Sequence, residues 1–170
     1  MERRKFIRKV CLLGDGGVGK TSLVRRYVED VFSDSYIISF GTKVSKKVID
    51  LGDIELTLMI WDILGQKGDD PLHVAYFRGA NGALLVGDLT RPETMRHIVK
   101  WKEDFMKVCP GAVFVAASNK SDLESAMQPH DLQEIVDALG FEPRRTSART
   151  GEGVEELFMT LGKGIMEGSK

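Results

Sequence analysis

Gly14-Asp15-Gly16-Gly17-Val18-Gly19-Lys20-Thr21 separates an apolar run, Phe6 to Leu13, from a stretch of helical periodicity running from about Lys20 to Glu29. The octet fits GxxxxGK[ST] in full and sits in the strand–turn–helix context that this pattern requires. Glycines allow backbone conformations that a Cβ would forbid, so successive N–H groups can point inward at phosphate oxygens. The helix N-terminus adds a partial positive charge. Lys20 supplies a full charge for the β- and γ-phosphates, and the Thr21 hydroxyl can take Mg²⁺. The octet therefore predicts a nucleoside triphosphate site at the end of the first strand.

Working outward, the chain alternates strands and helices to its end. Residues 30–43 lack a period and read as a loop. Val44 to Leu51 alternates and turns at Gly52-Asp53 into Ile54 to Asp62, a hairpin. A second aperiodic stretch covers about Ile63 to Asp70, ahead of a short helix near Leu72 to Arg78. Strands are predicted at Ala83 to Asp88, Val113 to Ser118 and Glu142 to Thr146. Helices are predicted at Glu93 to Val108, Pro129 to Leu139 (Pro near its start) and Val154 to Met166. This order implies an α/β fold: a six-stranded, mainly parallel sheet with one antiparallel strand and helices on both faces. Ligands in such sheets bind beyond the carboxyl ends of the strands, where all the motifs fall. With 170 residues, no linker and no repeat, a single domain over residues 1–170 is expected.

The base is read separately from the phosphates. Asn119-Lys120-Ser121-Asp122 follows the strand ending at Ser118. A carboxylate accepts hydrogen bonds and cannot donate them. Guanine offers two donors, N1–H and its 2-amino group, which one carboxylate can take together. Adenine presents an acceptor at N1, which Asp122 would repel. The expected nucleotide is therefore GTP or GDP.

Together these residues resemble the Ras superfamily of small GTPases, nearest to its Rab branch, over nearly the whole chain. The resemblance is carried by Gly14 to Ser22, Trp61-Asp62-x-x-Gly65-Gln66, Tyr76-Phe77-Arg78-Gly79-Ala80, Asn119-Lys120-x-Asp122 and Thr146-Ser147-Ala148. It implies a P-loop G domain acting as a GTP-hydrolysing switch with slow intrinsic turnover, as no arginine of the first loop is placed to assist. Asp62 would hold Mg²⁺ through water, alongside Thr21 and, in the GTP state, the Ser39 hydroxyl. The Gly65 amide would sense the γ-phosphate, and Gln66 would orient the attacking water, with Lys20 as the other catalytic group. Phe32 would lie against the guanine edge. Ser147, Ala148 and Arg149 would close the base loop. Effectors, exchange factors and GTPase-activating proteins are the implied partners, and Gly16-Gly17 leaves room for a partner's arginine. Two departures stand out. Ile63-Leu64 replaces the Thr-Ala usual between Asp62 and Gly65, and Lys67-Gly68-Asp69-Asp70-Pro71 lacks the family's exposed aromatic. Bulk at Leu64 favours an alternative in which the chain holds guanine nucleotide with little turnover.

Composition excludes other classes. A net charge of −1 gives no basis for broad nucleic-acid binding, and no apolar run is long enough to span a membrane. With Glu2 after Met1 and no cysteine near Lys170, neither myristoylation nor prenylation is expected. Weak attraction of Arg3, Arg4, Lys5, Arg8 and Lys9 to acidic lipid is the most membrane contact expected. Cys11 and Cys109 have no metal spacing and read as buried thiols in the cytoplasm. A monomer is expected.

Overall fold

The computed structural model describes residues 2–29, 42–63 and 71–168, with side chains omitted at 42 and 71–73. The elements in chain order are β1 (Arg4–Leu13), α1 (Lys20–Glu29), β2 (Thr42–Asp50), β3 (Ile54–Ile63), α2 (Pro71–Phe77) and β4 (Gly82–Asp88). They continue with α3 (Pro92–Val108), β5 (Val113–Asn119), α4 (Pro129–Leu139), β6 (Arg144–Arg145) and α5 (Val154–Glu167).

Six strands form one sheet in the order β2-β3-β1-β4-β5-β6. Among the described residues only the β2–β3 pair is antiparallel, closing over Gly52, whose φ of +85° suits a residue without a Cβ. The alternation read from the sequence is thus the observed architecture. The first strand extends to Arg4, ahead of the expected Phe6, by pairing with β3 from Arg4↔Ile54 onward. The last strand shrinks to two residues, because β5 offers it pairing only at Ala117 and Ser118.

Side chains alternate across the strands, so each face of the sheet has its own core. On one face Val10, Leu12, Leu56, Leu58, Ile60, Leu84 and Val86 meet Leu23 and Tyr27 of α1 and Leu157, Phe158 and Leu161 of α5. On the other, Cys11, Leu13, Ala83 and Leu85 meet Met95, Ile98, Trp101 and Phe105 of α3. Burial pushes the Cys11 thiol up to about 12, so it behaves as a packing group. Among the described residues no helix is long and apolar enough to cross a membrane.

Phe158 is fully buried and stacks on Tyr27 with ring centroids 4.0 Å apart. This contact ties α5 to α1, and hence to the phosphate loop that α1 follows. Phe158→Ala should destabilise the fold by about 3–5 kcal/mol through lost burial and the cavity left behind. Urea denaturation would show it as a lower midpoint with an unchanged m-value.

Candidate functional site

Because β1, β3, β4, β5 and β6 run parallel, their carboxyl ends share one edge. That edge gathers Gly14–Thr21 after β1, Asp62 in β3, Asp88 at the end of β4, Asn119 to Asp122 after β5, and Thr146 to Arg149 after β6.

The phosphate loop is held by its carbonyls. The Lys20 ammonium donates to the carbonyls of Gly14 (2.7 Å) and Asp15 (3.0 Å). Arg91 Nη2 donates to the Gly16 carbonyl at 2.8 Å, and Lys120 Nζ to that of Gly17 at 3.0 Å. Asn119 Nδ2 donates to the Val18 carbonyl at 2.9 Å, and the Leu23 amide to Gly19 at 2.9 Å. Every carbonyl from Gly14 to Gly19 therefore has a donor, while the amides of Asp15 to Gly19 have no acceptor among the described residues. A row of polarised, unspent N–H groups is an anion site. Gly19 shows why its residue type matters: its φ is +101°, and a Cβ there would collide with the Asn119 amide nitrogen.

Lys20 lies deep enough that burial pulls its ammonium down to about 8, opposed by Asp62 and Asp15. A lysine so placed gains most when phosphate charge arrives beside it. Asp62 has the complementary problem. It is 2% exposed, and its Oδ2 accepts the Thr21 hydroxyl at 2.5 Å while Oδ1 has no partner among the described residues. Burial raises its carboxyl above the usual range, against the opposing pull of Thr21, Lys20 and Lys43. A buried carboxylate oxygen left without a partner beside a hydroxyl suits a hard, hydrated dication, so the residues present fit Mg²⁺.

The base loop is braced as firmly. Lys120 is the sole non-glycine at positive φ among the described residues (φ +65°), a backbone state that costs about 1–3 kcal/mol. Its Nζ is fixed by Asp88 at 2.8 Å and by the Gly17 carbonyl at 3.0 Å. Asn119 joins both loops, since its Oδ1 accepts from Thr146 at 2.9 Å while its Nδ2 holds Val18. Ser147, itself buried, donates to Asp122 Oδ1 at 2.8 Å and so orients an exposed carboxylate. Arg26 of α1 donates to the carbonyls of Ala148 (2.7 Å) and Arg149 (2.6 Å), tying the last loop to the helix behind the phosphate loop.

The chain of residues 9–167 matches the model of the Ras family. Human Ras-related protein Rab-21 is 34% identical over 167 residues, covering 96% of this chain and 74% of the relative. Yeast (Saccharomyces cerevisiae) Ras-related protein SEC4 is 36% identical, covering 95% of this chain and 76% of its own, and Arabidopsis thaliana RABE1e is 31% identical with coverage of 95% and 76%.

The chain belongs to the Ras family.

Its fold is the Ras-type G domain, and its relatives lie in the Rab branch. In this Ras-family chain, Gly14 to Ser22, Asp62, Asn119, Lys120, Asp122 and Ser147 to Arg149 lie along one edge of the sheet, as the motifs implied. Phe32, Ser39, Gly65 and Gln66 fall outside the described residues, as does Leu64. A groove of about 510 Å³ among Arg26, Tyr27, Lys47, Asp50, Val154 and Met159 includes no phosphate-loop residue.

Sequence reading missed three supports. Helical spacing places Trp101 at the interface of α3 with the sheet, and the isolated His97 reads as a surface or packing residue. Yet Trp101 Nε1 donates to Asp15 Oδ1 at 3.0 Å, and His97 Nδ1 pairs with Asp15 Oδ2. Their spacing of four on α3 was the available signal, since it places both on one helix face. Arg91, the third, had a weaker one: it precedes Pro92.

Proposed function

We propose that this Ras-family chain is a cytoplasmic GTP-binding switch that slowly hydrolyses GTP to GDP and phosphate. The observation that carries the reading is the phosphate loop, with its carbonyls bonded away and its amides unspent beside the unpartnered oxygen of Asp62. In this reading the amides of Asp15 to Gly19 receive the phosphate oxygens, and Lys20 offsets charge on the β- and γ-groups. Thr21 and Asp62 would hold Mg²⁺, with Ser39 completing the set in the GTP state. Bound there, the ion would neutralise charge developing between the β- and γ-phosphates. Asp122, fixed by Ser147, accepts guanine N1–H and the 2-amino group. Phe32 and the Ser147–Arg149 loop flank the base.

Gln66 orients the attacking water, and Gly65 and Ser39 report the γ-phosphate to residues 63–73 and 33–43. Release of both segments after hydrolysis is an order–disorder switch. Effectors, exchange factors and GTPase-activating proteins would read and reset it. An added Cβ at Gly16 would meet none of the described residues within 4 Å, which supports room there for a partner's arginine.

Single-turnover hydrolysis tests this. Protein loaded with GTP and Mg²⁺ should convert it slowly to GDP, and Gln66→Leu should abolish the conversion. GTP retained intact by both proteins would overturn intrinsic catalysis. Leu64, a bulky residue directly before Gly65, would then favour a guanine-nucleotide binding module.

A further inference from the structure

Arg91 sits between two buried systems that the family motifs treat separately. Its Nε pairs with Asp88 Oδ2 at 3.2 Å, and its Nη2 donates to the Gly16 carbonyl at 2.8 Å. Asp88 is fully buried, and the same carboxylate also takes the Lys120 ammonium, the Thr90 amide and the Thr90 hydroxyl. These bonds hold the Asp88 carboxyl below its usual range despite the burial that opposes them. Asp88 is thus a fixed anion, and Arg91 is a fork that transmits its position to the phosphate loop.

The local sequence puts the fork there. Pro92 occupies the first turn of α3 and disfavours helical backbone at the residue before it. Arg91 accordingly has φ −132° and ψ 90°, with no side-chain cap. Its guanidinium reaches across the edge of the sheet, 75 residues back in sequence, to Gly16. It lies so close to Gly17 that a Cβ at that position would come within 3.3 Å of Nη2.

Peptide geometry gives this contact a consequence. No peptide bond among the described residues is cis, so each C=O opposes the N–H of the same unit. Arg91, Lys120 and Asn119 hold the successive carbonyls of Gly16, Gly17 and Val18, all from the ends of β4 and β5. The N–H groups of Gly17, Val18 and Gly19 are thereby turned the other way together. A cation on the Gly16 carbonyl also polarises its peptide, which makes the Gly17 N–H a stronger donor. Lys120 and Asn119 belong to the base-reading motif. Arg91 belongs to no motif read from the sequence.

We propose that Arg91 is a positioning residue for the nucleotide phosphates: it fixes the Gly16–Gly17 peptide to buried Asp88 so that the Gly17 amide faces the phosphate chain. The inference rests on the guanine-nucleotide reading above. Lysine could not replace it fully, since one ammonium lacks the planar fork that serves two acceptors in fixed directions.

The test compares wild type, Arg91→Ala and Arg91→Lys, each loaded with fluorescent GDP and Mg²⁺. Dissociation should accelerate about tenfold in Arg91→Ala, the scale of one lost charge-assisted hydrogen bond, and by less in Arg91→Lys. The phosphorus NMR shift of the bound β-phosphate should move in Arg91→Ala and return partway in Arg91→Lys. If Arg91→Ala does not fold, Arg91→Lys alone must show faster release and a moved signal. Unchanged release, or faster release with an unmoved phosphorus signal, would overturn the proposal, the latter making Arg91 a simple brace. Wild type that binds no GDP would instead overturn the guanine-nucleotide reading.

Discussion

Asp122→Asn should weaken guanine nucleotide binding by at least about a hundredfold while improving the binding of xanthine nucleotides. Guanine brings two donors to this position, and a carboxylate answers both. An asparagine amide has one acceptor and one donor, so its NH₂ would oppose the 2-amino group. Xanthine replaces that amino group with a carbonyl and keeps N1–H, which matches the amide on both counts. Ser147 decides which end of the amide goes where. Its hydroxyl donates to Oδ1 at 2.8 Å, and would continue to hold an oxygen there. The fold should not suffer, since Asp122 is exposed and lies outside both cores. Competition of GDP and XDP against a fluorescent nucleotide measures the change directly. Equal GDP affinity in the variant would mean that Asp122 does not read the base.

The fold was legible because its signals were local and mutually consistent. Apolar strands, helical periods, the Gly52 turn and Pro129 each announced one element, and the parallel order followed from their alternation. The phosphate and base loops were legible for a different reason: their chemistry needs particular residues at fixed spacing. What joins those loops was not legible, because it depends on side chains brought together by tertiary packing. Arg91 reaches Gly16, Arg26 reaches Ala148, and Trp101 reaches Asp15 across separations of 75, 122 and 86 residues. Periodicity assigned Trp101 correctly to the face of α3 that packs on the sheet. It could not reveal that the indole N–H, needing an acceptor once buried, would find one on the phosphate loop. The same blindness applies to Asp62. The motif names it, but only the structure shows one of its oxygens buried and, among the described residues, unpartnered.

Asp62→Asn is expected to change stability and function in opposite directions. In the metal-free protein Asp62 is a buried carboxylate with one oxygen unpaired among the described residues, and burial raises its carboxyl above the unfolded value near 3.8. A group whose folded pKa is raised adds stability that is fully present below the unfolded pKa. That stability is lost as pH rises through the folded value. At neutral pH the ionised side chain therefore weighs against the empty fold. Asparagine is neutral throughout and can still accept the Thr21 hydroxyl. Metal-free Asp62→Asn should consequently melt higher than wild type at pH 7, and the gap should close as pH falls toward 4. With GTP and Mg²⁺ the order reverses. The wild-type carboxylate then has a cation to satisfy it, while the amide offers little to a hard dication. The variant should bind a GTP analogue about 10–100-fold more weakly in Mg²⁺, and chelation by EDTA should weaken it little further. Melting curves in EDTA across pH, and analogue titrations with and without Mg²⁺, separate the two effects. A variant that melts lower and keeps its response to Mg²⁺ would reduce Asp62 to a cap on the end of β3.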